Sequence, residues 1–136
     1  MAGSKAATQM RDYEAGPVTV GVVGVGAMGR GIAQVSATGG MQVRLFDQMD
    51  GAAEKGRALI VQQLDRLVEK GRMSAEDAAA AAGRMQVVAS LAEMADADLV
   101  VEAVIEDLAV KRQVFAELEK AVRPDALLAS NTSSIR

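Results

Sequence analysis

The chain has 136 residues and a net charge of −3, is half apolar, and contains neither cysteine nor histidine. That length suits one domain of ordinary size, and a mildly acidic balance with no basic stripe interleaved with aromatics argues against nucleic acid as a partner. Without cysteine there is no disulfide framework and no thiolate metal site, so no metal is expected; without histidine the commonest acid/base group near neutral pH is missing. No run reaches membrane-spanning length and no apolar signal segment opens the chain, which makes a cytoplasmic protein the default expectation. Tyr13, Phe46 and Phe115 are the whole aromatic complement. The core must therefore come from Val, Leu, Ile, Ala and Met, as in a parallel sheet covered by helices.

Residues 1–16 are small and polar and end at Gly16-Pro17, so they read as a flexible leader. The β-branched run Val18, Val20, Val22, Val23 predicts a strand over 17–23, followed by Gly24-Val25-Gly26-Ala27-Met28-Gly29 and a helix over 27–39. Gly39-Gly40 stops that helix, and a second strand over 41–46 is closed by Asp47 and Gln48. Strand, glycine loop, helix, strand and acid in this order describe a dinucleotide site. Gly24 permits a tight turn, Gly26 lets backbone amides approach a pyrophosphate, and Gly29 lets the helix pack on the sheet. The first amides of a helix lack internal acceptors and sit at its positive end, so a diphosphate is a natural ligand there. Asp47, roughly 20 residues beyond the loop, can accept hydrogen bonds from both adenosine ribose hydroxyls and would repel a 2′-phosphate, which favours NAD over NADP. Arg44 is the one nearby cation able to serve a 2′-phosphate, but strand alternation should turn it from Asp47's face.

Apolar positions at Ala53, Leu59, Ile60, Leu64, Leu67 and Val68 recur near a 3.6 period and predict an amphipathic helix over 50–70, ending at Gly71. Ser74 with Asp77 three residues on starts a second, alanine-rich helix running to Gly83. The two form a helical hairpin inserted between strands, able to reach over a ligand or to meet a partner. Strands are expected at Met85–Ala89, Leu99–Val104 and Ala126–Ser130, with a short helix at Ser90–Met94 and a longer one from about Asp107 to Val122 carrying Leu108, Val114, Phe115, Leu118 and Val122 on one face. Pro124 ends it. Glu102 interrupts the apolar run at 99–104, where burial demands a partner or a place at the strand end. Met28, Met41 and Met94 read as core filler.

These elements describe an α/β domain of Rossmann type, a doubly wound parallel sheet with an inserted helical hairpin, spanning 17–136. Such a sheet has six strands in the order 3-2-1-4-5-6, whereas five are predicted, so the domain reads as incomplete at its C-terminus, with an apolar edge strand that native proteins avoid.

The motifs Gly24-Val-Gly-Ala-Met-Gly-Arg-Gly-Ile-Ala-Gln34, Leu45-Phe-Asp-Gln48, Asp98-Leu-Val-Val-Glu-Ala-Val-Ile-Glu-Asp107, Lys111 and Ser130-Asn-Thr-Ser-Ser134 together make the chain resemble the 3-hydroxyacyl-CoA dehydrogenase family over about 17–134. The resemblance implies that the glycine loop holds the pyrophosphate of NAD and Asp47 the adenosine ribose. It implies that Glu106 and Lys111 meet the nicotinamide-side ribose and its surroundings, that Ser133 lies beside both the nicotinamide and the C3 oxygen of an acyl-CoA substrate, and that Lys70 meets the coenzyme A moiety. It further implies that the histidine, glutamate and asparagine completing the chemistry lie C-terminal to Ser134, as does a helical domain that makes a homodimer, so that this chain would not turn over alone.

Without the resemblance, Asp47 caps a turn, Glu106 and Lys111 are a dipole-matching acid and a solvated lysine, and Asn131-Thr-Ser-Ser caps a helix. Two other functions fit the glycine loop: a hydroxyacid dehydrogenase of the 3-hydroxyisobutyrate or 6-phosphogluconate type, and a non-catalytic dinucleotide-binding module.

Overall fold

The computed structural model describes residues 18–103 and 107–130. Five strands form one parallel sheet: β1 (Thr19–Val23), β2 (Gln42–Phe46), β3 (Met85–Val87), β4 (Leu99–Glu102) and β5 (Leu127–Ser130). Their order is β3-β2-β1-β4-β5. The chain thus starts in the middle, winds outward to β3, returns to β1's other side and winds outward again, which leaves a crevice at the carboxyl end of β1 where the direction reverses. Four helices connect them: α1 (Ala27–Thr38), α2 (Ala52–Glu69), α3 (Ala75–Arg84) and α4 (Leu108–Ala121), with a 3₁₀ turn at Leu91–Met94.

Right-handed crossovers in opposite directions put α1, α2 and α3 on one face and α4 on the other. Strand alternation divides the core accordingly. On the first face Val20, Val22, Val43 and Leu45 meet Ala33, Ala37, Ile60, Leu64 and Ala81; on the second Val23 and Val100 meet Met94, Val114 and Leu118. Gly21 lies on the second face, and a Cβ there would sit 2.4 Å from Met94 Sδ. Its missing side chain is the slot that lets the 3₁₀ turn seat Met94 on the sheet, as core filler. Met28, by contrast, is 56% exposed: it stands on the outer side of the first turn of α1 and fills no core.

Polar contacts fasten the loops. Ser74 Oγ accepts from Asp77 N at 3.0 Å, the predicted N-cap. Ser90 and Glu93 form a complete capping box, and Glu93 Oε2 also takes the Ala89 amide, so β3 stops at Val87 rather than running to Ala89. Arg44 makes a bidentate contact with Asp96 at 2.6 and 2.9 Å and donates to the Glu93 carbonyl, which commits it to the second face. At the amino edge of the sheet Asp98 accepts from Thr19 N at 2.8 Å and from Arg123 at 2.6 Å. That hydrogen bond raises the Arg123 pKa above its ordinary value, with burial opposing.

The far end of the helical hairpin is fastened away from the crevice. Arg84 donates to the Ala37 carbonyl at 2.6 Å, at the last turn of α1, and Arg57 donates to the Ala82 and Met85 carbonyls. Cations on these terminal carbonyls are favourable and hold α3 against α1 and α2. Leu59, expected inside, is 38% exposed. Among the described residues no helix is long and apolar enough to cross a membrane.

Leu64 is 1% exposed and Leu127 64%. Leu64→Ala should lower the unfolding free energy by about 2–5 kcal/mol through the cavity it opens, and Leu127→Ala by less than about 0.5 kcal/mol, both read from urea denaturation. Equal losses would contradict this division of the core.

Candidate functional site: a dinucleotide cleft at the carboxyl edge

The loop after β1 turns at Gly24, whose φ of +98° is open to glycine at little cost and to other residues only with strain. Gly24 N donates to the Phe46 carbonyl at 2.8 Å, tying the turn to β2. α1 then starts at once: a Cβ on Gly29 would lie 1.9 Å from the Gly24 carbonyl oxygen, closer than any packing allows. The helix therefore begins directly against the end of β1. Its N-cap, Gly26, offers no side chain, and no acid stands in the first turn. Among the described residues no side chain caps the first amides of α1, which leaves them open to an anionic acceptor at the positive end of the helix dipole.

Asp47 holds this loop. One carboxylate oxygen accepts from Val25 N at 2.8 Å and the other from Met49 N at 2.9 Å. The turn-capping role is thus real, and it is compatible with ligand binding, because each carboxylate oxygen keeps a second lone pair. Two ribose hydroxyls match two remaining acceptor positions. The Val25 amide, however, is already engaged by Asp47, and the Val25 side chain is 3% exposed. Of the predicted loop contacts, Val25 therefore braces the loop through its amide while still bordering the cleft.

A cleft of about 470 Å³ opens here, lined by Val23, Gly24, Val25, Gly26, Asp47, Gln48, Met49, Ala52, Asp107 and Val110. It brings together the ends of β1 and β2 and the start of α4. Ala27, Met28 and Gly29 form the helix start beside it. Gln48 is exposed at its rim. Asp107 caps α4, accepting from Ala109 N at 2.9 Å and Val110 N at 3.2 Å.

Several of these residues were not foreseen. Met49, Ala52, Asp107 and Val110 become neighbours only through the strand order. Gly56 is a further case: a Cβ there would lie 2.2 Å from Val25 Cγ1, so its absence lets α2 press on the loop. An isolated glycine inside a helical pattern, costing about 1 kcal/mol against alanine, was the available signal.

Lys111 is not the solvated lysine of the simplest expectation. It is 5% exposed and Glu102 is fully buried, with Lys111 Nζ 2.5 Å from Glu102 Oε1. The Ser130 hydroxyl closes a triangle, accepting from Lys111 Nζ and donating to Glu102 Oε1, each at 2.7 Å. Glu102 has both the strand-end position and the partner that its burial required. Lys70 is exposed and caps the far end of α2, an 18-residue helix about 27 Å long whose other end borders the cleft; Lys70 is not among the cleft's lining residues. Glu106 and Ser133 lie outside the described residues.

Residues 19–136 match the family described as 3-hydroxyacyl-CoA dehydrogenase, NAD binding domain. The chain belongs to the 3-hydroxyacyl-CoA dehydrogenase family. It is 47% identical over 117 residues to the 3-hydroxybutyryl-CoA dehydrogenase of Mycobacterium tuberculosis (strain CDC 1551 / Oshkosh), a match covering 85% of this chain and 41% of that protein. Against the 3-hydroxyadipyl-CoA dehydrogenase of Escherichia coli (strain K12) it is 41% identical over 117 residues, covering 86% of this chain and 25% of that protein. The crystal structure of (S)-3-hydroxybutyryl-CoA dehydrogenase from Ralstonia eutropha superposes with a TM-score of 0.81 at 36% identity, over 87% of this chain and 42% of that one. The chain thus spans about two-fifths of the length of the first of these relatives. NAD is the dinucleotide of this family's domain, and the site suits it: a helix start shaped by Gly29, an acid with two remaining acceptor positions, and Arg44 turned away to Asp96.

Gly29→Ala tests the loop directly. The added methyl must push α1 off the Gly24 carbonyl, an overpacking expected to lower stability by about 1–3 kcal/mol and to speed hydrogen exchange at the Val25 amide. Wild-type exchange and melting in this variant would contradict the close approach.

Proposed function

We propose that this chain binds NAD across the carboxyl edge of its sheet and serves the oxidation of the 3-hydroxyl of an (S)-3-hydroxyacyl-CoA to a 3-ketoacyl-CoA. The observation that carries the reading is the Asp47 carboxylate, which holds the Val25 amide and still faces a 470 Å³ cleft at an uncapped helix start. In this reading the first amides of α1 donate to the pyrophosphate. Asp47 accepts from the adenosine ribose hydroxyls and repels a 2′-phosphate. The adenosine lies in the cleft between the β2 end and α4, where Ala52 and Val110 offer apolar walls.

NAD, when bound, supplies the hydride acceptor. Lys111 and Glu106 address the nicotinamide-side ribose, and Ser133 donates to the C3 oxygen of the substrate. The chain contains no histidine, and in this reading, as the family resemblance implies, the acceptor of the 3-hydroxyl proton comes from outside these 136 residues. Lys70 enters only as a contact for the far end of an extended coenzyme A. A homodimer of the complete enzyme and a cytoplasmic location accompany this reading. The absence of histidine favours one second reading, a dinucleotide-binding module without chemistry of its own.

Asp47→Ala should weaken NAD binding by about 1–3 kcal/mol through lost charge-assisted hydrogen bonds and should narrow the preference for NAD over NADP, measured by calorimetry. An unchanged NAD affinity would remove Asp47 from the site. Detectable NAD-dependent oxidation of a 3-hydroxyacyl-CoA by these 136 residues alone would overturn the external proton acceptor.

A further inference from the structure

The buried triangle of Glu102, Lys111 and Ser130 is costly as a structural device. An ion pair out of water loses hydration that mutual attraction only partly restores, and well-packed apolar residues in its place are often neutral or stabilising. The rest of the buried stripe of α4 is Val114 and Leu118, and a methionine at position 111 would continue it. Yet a glutamate and a lysine in contact occupy the end of β4 and the first turns of α4.

Their place in the sheet suggests what they do. The register sets Phe46, Val23, Glu102 and Ser130 in one lateral row across β2, β1, β4 and β5, with Gly24 following Val23 and Asp47 following Phe46. At about 4.8 Å per strand, Glu102 stands one strand and Ser130 two strands from the end of β1, on the side away from Asp47. A dinucleotide whose diphosphate meets the glycine loop and whose adenosine sits over β2 must lay its other half over β4 and β5.

We propose that Glu102 is a positioning residue for that second half: it fixes the Lys111 ammonium and the Ser130 hydroxyl as a preorganised polar platform for the nicotinamide-side ribose. The inference rests on the NAD reading above and adds the buried acid, which touches no ligand itself. Lys111 Nζ has three N–H groups. Two are committed to Glu102 and Ser130, which sets the direction of the third, and among the described residues that third N–H has no acceptor. An ammonium on a flexible stem would otherwise lose rotamer freedom on binding; Glu102 removes that loss beforehand. Ser130 is held by the same carboxylate.

The test compares ADP, which ends at the diphosphate, with NAD, using the 136-residue chain, its Glu102→Gln variant and the double variant Glu102→Leu with Lys111→Met. The wild type should bind NAD about tenfold more tightly than ADP. The double variant should keep its melting temperature within a few degrees while its NAD affinity falls to that for ADP, with ADP affinity unchanged within twofold. Glu102→Gln, which keeps the shape and removes the charge, should lie between. A folded variant that retains the tenfold advantage, or a wild type that binds both ligands equally, overturns the role of Glu102 and leaves the dinucleotide site standing. A parallel loss of ADP and NAD affinity in Glu102→Gln marks the triangle as structural only and also overturns the proposal. A wild type that binds neither ligand overturns the NAD reading itself.

Discussion

The fold around the site depends on a single close approach, that of Gly29 to the Gly24 carbonyl. Because no Cβ stands between them, α1 starts directly against the end of β1, and the amides of its first turn face outward without a cap. Every other feature of the crevice follows from keeping that approach intact. Gly24 turns the chain with a positive φ, Gly56 lets α2 press on Val25, and Asp47 reaches over from β2 to hold the Val25 amide. Asp47 is thereby a brace and, in the proposed reading, a recognition group as well. The brace aims the carboxylate, since two amides fix its plane before any ribose arrives, and preorganisation of this kind lowers the ordering loss on binding.

The two sides of the crevice are built on different physics. On the β2 and β3 side three helices cover the sheet with aliphatic side chains, and arginines close the helix ends away from the site. On the β4 and β5 side one helix covers the sheet, and its buried stripe begins with a charge. Apolar packing makes the first side a rigid support for the loop and its acid. The second side has in Glu102, Lys111 and Ser130 a set of directed donors and acceptors. An asymmetric ligand with a phosphate centre and two sugars of different surroundings matches such an edge better than a symmetric one.

Much of this was legible before the structure. The glycine loop, the order of elements, the strand order and the cap at Ser74 rest on local signals: β-branched runs, a 3.6 period, a capping residue. What was hidden is nonlocal. Met94 is buried because Gly21 leaves a slot in a neighbouring strand, and Met28 is exposed because the helix start, not the core, lies beneath it. Strand alternation foretold Arg44 turning from Asp47, but its partner Asp96 lies 52 residues on. Val25 lines the cleft, but its amide is engaged by Asp47, a pairing the local sequence does not display. The pairing of Glu102 with Lys111 could have been found, since an acid inside an apolar run and a lysine three residues before Val114 on a buried stripe each demand a partner. Lys70 rests on resemblance alone: no local signal marks it, and the length of α2 sets it apart from the dinucleotide cleft.

The central claim is that the uncapped start of α1 receives the diphosphate. Titrating the ¹⁵N-labelled chain with ADP and following its amide resonances tests this most directly. The account predicts the largest shifts at Gly26, Ala27, Met28 and Gly29, with smaller ones at Met49 and Val110. Shifts confined instead to Arg30, Gln34, Gln63 and Arg66, which line a separate groove between α1 and α2, with the loop amides unmoved, would contradict it.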